Sequence, residues 1–135
     1  MEKFRDIKAN SLNALIFFVL YICAQDKKIS AEELENSCSN IISAALNGFD
    51  YFGSVKIKEI KSIASETSKL IVGNKKLLYK KIFNDEKNLI SKMLSDEEII
   101  HIALLIARIA ASADGLAENE NKKLFFWSNY WDKKI

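Results

Sequence analysis

Apolar residues along this chain recur at the three-to-four spacing of helices, and no stretch alternates with the period of two that a strand requires. Leu15, Ile16, Val19, Leu20 and Cys23 form one such stripe, and Phe17, Phe18, Tyr21 and Ile22 fill most of the remaining circumference. The pattern predicts a first helix over Phe4–Ala24, or two short ones meeting near Ala9–Leu12. A helix apolar nearly all round belongs at the centre of its domain. Ser30, Ala31, Glu32 and Glu33 make a capping box, so a second helix opens at Ala31 and turns Leu34, Cys38, Ile41, Ile42 and Ala45 inward until Asn47-Gly48. An aromatic connector, Phe49 to Gly53, leads to a third helix from Ser54 to Val72, with Val55, Ile57, Ile60, Ile63, Ala64 and Leu70 as its apolar positions. Gly73-Asn74 stops it. A fourth helical region covers Lys75–Leu94, with Asn84-Asp85 as a place to kink or split. Ser95 to Glu98 read as a second capping box. The helix it opens carries Ile99, Ile102, Ala103, Ile106, Ala110 and Ala113 inward and breaks at Gly115. A last helix runs from Glu118 to Trp131.

These elements predict an all-α fold: one compact bundle of six to seven helices occupying residues 1–135 as a single domain. Composition agrees, with no proline, 4 glycines and 49% hydrophobic residues in 135. The balance of 20 Lys and Arg against 18 Asp and Glu lacks the basic excess of a dedicated nucleic-acid binder. The lysines at 75, 76, 80 and 81 read as a solvated face. Leu12–Ala24 follows basic residues as a signal-peptide core would. Glu2 and Asp6 spoil the leader, no small-residue cleavage site follows, and a span needs about 20 residues, so a buried helix is expected. Cys23 and Cys38 lack a CxxC spacing or a neighbouring histidine, which points to buried thiols in a reducing cytoplasm, with their pairing left open.

The chain holds one repeated pattern. Asp26 and Asp114, and likewise Glu32 and Glu120, stand the same 88 positions apart, each pair between an apolar run and the next helix. Leu15 to Phe18 overlie Ala103 to Ile106 at the same shift, which gives an internal pseudo-repeat of helix, acidic turn and helix. Two readings fit the acids. Asp26 and Asp114 cap turns while Glu32, Glu33, Glu118 and Glu120 favour first helical turns. Alternatively the two turns converge oxygen ligands on a hard divalent cation, Ca²⁺ or Mg²⁺.

The second turn, Ala113-Asp114-Gly115 followed by Glu118 and Glu120, resembles the signature of the TerB-like family of tellurite-resistance domains, which also includes domains of DnaJ-type co-chaperones. Asp26, Ile29, Glu32 and Glu33 resemble it at the first turn, where Gln25 and Lys27 stand in place of Ala and Gly. The resemblance implies a small helical bundle, a stress-associated role without catalysis, a protein partner, and a divalent metal at Asp114, Glu118 and Glu120, with Asp26 and Glu32 as the weaker half because Lys27 and Lys28 adjoin Asp26. It also implies a cytoplasmic location, peripheral to the inner membrane. Phe126, Tyr130 and Trp131 are the expected partner-contact residues on the last helix, since aromatics dominate interaction hot spots. Phe125 and Trp127 are expected in the core. Two rival functions are an immunity or antitoxin-type protein that occupies a toxin, and a small metal-dependent hydrolase. His101, the sole histidine, has no sequence-adjacent Ser or Cys partner, and no nucleotide loop, HExxH or nucleophile elbow is present.

Overall fold

A computed structural model describes residues 6–25, 29–74, 83–113, 115 and 118–133, with backbone alone over 83–86. Six helices and no strand are present among the described residues: α1 (Leu12–Cys23), α2 (Ala31–Leu46), α3 (Ile57–Gly73), α4 (Phe83–Met93), α5 (Glu97–Ala113) and α6 (Glu118–Tyr130). The all-α expectation holds. None of these helices is long and apolar enough to cross a membrane.

Helix α1 is the axis of the bundle. Ten of its residues, Ala14 to Cys23, are buried, and it packs on α2, α3, α5 and α6. Burial on all sides explains why its sequence lacks a polar face. It begins at Leu12, later than expected, because Ser11 caps it by accepting from the Ala14 N–H at 3.1 Å, while residues 6–10 form turns. Asn10 sits there with φ of 55°, a left-handed conformation that asparagine tolerates. Its N–H donates to the Met93 carbonyl at 2.8 Å, and its Oδ1 accepts from the Ser95 and Asp96 N–H groups at 2.9 and 3.0 Å. Nδ2 completes the set by donating to Ser95 Oγ at 2.9 Å. One residue thus fastens the start of α1 to the junction of α4 and α5.

This clamp sets the direction of the helices. α1 and α5 start at one end and run the same way. Ring contacts of Phe18 with Trp127 and Trp131, and of Lys123 over Tyr21, show α6 running back along α1. Tyr51, in the α2–α3 connector, lies at the starting end near Asp96 and Glu98; partial burial first, and these two carboxylates second, push its hydroxyl above the usual tyrosine range.

The Ser30 capping box is present, with the hydroxyl accepting from the Glu33 N–H at 3.1 Å and Glu33 Oε1 accepting from the Ser30 N–H at 3.4 Å. At α5, Asp96 rather than Ser95 caps the helix. Its carboxylate accepts from the Glu98 and Ile99 N–H groups, while Asn10 accepts from the Ser95 and Asp96 amides and donates to the Ser95 hydroxyl. Helix α3 starts at Ile57 instead of Ser54, after Gly53 turns the chain with φ of +68°; Val55 precedes the helix and Ile57 is exposed. Ala113, expected inside, is exposed at the end of α5. Asn84 and Asp85 lie within α4 without breaking it, and the lysines at 75, 76, 80 and 81 lie outside the described residues.

The end of α6 is a Schellman motif. The Lys133 N–H donates to the Ser128 carbonyl at 2.8 Å and the Asp132 N–H to the Asn129 carbonyl at 3.1 Å, with Asp132 at φ of 53°. Glycine suits that position better than a side chain does. Asp132→Gly is therefore expected to raise stability by about 0.5 kcal/mol, read as a higher urea midpoint with an unchanged slope.

Candidate functional site

Two places carry the residues singled out in the sequence. The first is the end of the bundle where α1 and α5 finish and α6 begins. Parallel α1 and α5 deliver Gln25 and Ala113, the described residues that precede the two acidic turns, to this one end. Gly115, with φ of +81°, reverses the chain after α5; a residue with a Cβ is strained in that conformation. Asp26 and Asp114 lie outside the described residues.

The remaining acids have separate occupations. Glu118 is exposed and pairs with Lys122 at 3.0 Å across one helical turn, an exposed contact of small energetic weight. Glu32 is exposed in the first turn of α2, and its neighbour Glu33 is held in the capping box. Glu120 is different: it is 1% exposed, on the same side of α6 as Leu124 and Trp127, and it has a polar partner. Its spacing of four and seven residues from Leu124 and Trp127 already placed it on the buried stripe, a signal that the acidic motif overshadowed. Gln25, which stands where the motif has Ala, is also buried, and its Nε2 donates to the Tyr21 carbonyl at 2.9 Å. Among the described residues no three His, Cys, Asp or Glu side chains gather as a metal-binding group.

The second place is the outward side of α6. Trp127 is fully buried, as expected, with edge contacts to Phe18 at 6.4 Å and Phe126 at 5.1 Å between centroids. Phe125 is a correction: it is 58% exposed, since Leu124 and Trp127 already fill the core side of this turn. Tyr130 is 42% exposed, stacks on Phe126 at 6.2 Å, and carries the Lys87 ammonium 4.9 Å from its ring centroid, a cation–π contact. Phe126 and Trp131 are half-buried, Trp131 against Phe18 at 5.6 Å and Trp127 at 4.8 Å. Of the three expected contact residues, Tyr130 is the most open, and Phe125 is more open still.

His101 is exposed on α5, and Cys23 and Cys38 are both buried. The chain matches no protein-family model, no curated protein and no solved structure.

Proposed function

We propose that this chain is a non-enzymatic, stress-associated helical domain of TerB-like character that acts by binding a protein partner through the outward side of α6. The observation that carries the reading is the exposure of Phe125 and Tyr130 on a helix whose inner side is already filled by Leu124 and Trp127. Large exposed aromatics are the residue types that anchor interfaces. The test is affinity capture with the wild-type chain and with Phe125→Ser and Tyr130→Ser. Both variants are expected to keep wild-type helicity and urea midpoint within about 0.5 kcal/mol, as surface changes do, while losing a stoichiometric partner. A partner retained by both variants would sink this reading. A captured nuclease or other toxin would favour the immunity-protein function over the stress-associated one.

A divalent cation, Ca²⁺ or Mg²⁺, at the acidic turns is a second element of the proposal. It is supported by the delivery of Gln25 and Ala113 to one end of the bundle. The burial of Glu120 argues against it as a ligand, while Glu118, whose exposed pairing with Lys122 is weak, and Glu32 stay beside Asp26 and Asp114 as candidate ligands. Calorimetric titration of demetallated protein with Ca²⁺, Mg²⁺, Mn²⁺ and Zn²⁺ is expected to show saturable heat that Asp26→Asn and Asp114→Asn abolish. Equal heat in both variants assigns the ion elsewhere. No heat at all leaves the carboxylates as turn and helix caps.

A further inference from the structure

Polar atoms sealed inside a protein are almost always hydrogen-bonded, and each exception needs an explanation. Three such exceptions occur among the described residues: one is the Ser68 hydroxyl of α3, and the other two lie on the helices of one seam. The Tyr21 hydroxyl of α1 and the Trp127 indole Nε1 of α6 are both shut off from solvent without a hydrogen-bond partner. Buried polar side chains at or next to these two helices include Gln25, just past the end of α1, and Glu120 and Ser128 of α6. Helix α6 contributes Glu120, Leu124, Trp127 and Ser128 as its buried residues, half of them polar, and packs chiefly on α5 and α1. Helix α1 contributes ten buried residues and contacts four helices. Undocking α6 would hydrate two orphaned polar atoms, a return that offsets part of the apolar surface it exposes.

We infer that α6 opens as a unit ahead of the rest of the bundle, uncovering the rings of Phe18 and Tyr21 on α1. The inference rests on the packing of α1 against α6 and is independent of the partner-binding proposal. Sub-global opening of this kind is how cooperative units of lower stability behave.

The chain offers a direct reading of it. Both of its tryptophans are at this helix, Trp127 within α6 and Trp131 directly after it, so tryptophan fluorescence follows α6 while far-ultraviolet circular dichroism follows every helix. In urea, the fluorescence midpoint is expected to precede the dichroism midpoint by roughly 0.5 M or more. Tyr21→Phe, which removes the orphaned hydroxyl and keeps the ring, is expected to raise the fluorescence midpoint and narrow the gap. Hydrogen exchange of the unaltered chain supplies a second measurement, with amides of residues 122–130 expected to exchange roughly tenfold or more faster than those of residues 100–111. Coincident midpoints, a gap that Tyr21→Phe leaves unchanged, or equal protection of the two segments would each overturn the inference.

Discussion

Phe18→Ala is expected to lower stability by about 3–5 kcal/mol, a fall in Tm of roughly 10–20 °C for a chain of this size. Phe18 is fully buried at the middle of α1 and touches three rings, with centroids 6.5 Å from Tyr21, 6.4 Å from Trp127 and 5.6 Å from Trp131. Its removal leaves a cavity between α1 and α6 that two large rigid rings cannot refill without leaving their rotamers. Phe18→Leu, which keeps most of the volume, is expected to cost less than half as much. Urea or thermal unfolding followed by circular dichroism checks both. Equal losses for Ala and Leu would mean that the ring contacts, rather than the volume, are what this position supplies.

Asn10→Ala is expected to cost about 2 kcal/mol, far above the usual effect of a half-exposed position. Three side-chain hydrogen bonds to Ser95 and Asp96 disappear with the amide. A left-handed φ of 55° is also harder for alanine to hold, by about 1 kcal/mol. Asn10→Gly separates the two causes: it restores the backbone freedom and leaves the bonds broken, so about half of the loss is expected to return. Asn10→Asp keeps an acceptor for the two amides and is expected to stay nearest to wild type. Full rescue by glycine would show that the bonds across to α5 contribute nothing.

Much of the fold was legible because the signals for it are local. The Ser30 box, the Gly73 and Gly115 stops, and the all-round apolar character of α1 each follow from a few neighbouring residues, and each is where the sequence put it. What escaped depends on distant residues. Asp96 rather than Ser95 caps α5, and Asn10, 85 positions away, accepts from the Ser95 amide that Glu98 would hold in a capping box. No window along the chain contains that information. Phe125 differs from its expected place for a similar reason: on an aromatic helix, composition cannot say which rings face α1, and Leu124 and Trp127 take the inner positions. At the candidate site, the repeat identified the two turns whose described flanks reach one end. It did not separate acids in helix caps from the one acid in the core. Glu120 was visible as a member of a repeat and equally as a member of a buried stripe, and only packing decides between them.

The clamp between Asn10 and Ser95 also bears on how the chain is made. α1 is the most apolar of the described helices, yet the residues that fasten its start are synthesised 85 positions later. At cellular translation rates that interval is roughly 4–17 s. During it the stretch from Ala14 to Cys23 has only earlier-made helices as cover. α2 and α3 both pack on α1 and both precede Ser95, so they are the intramolecular shield that keeps this stretch from aggregating until α5 and α6 arrive.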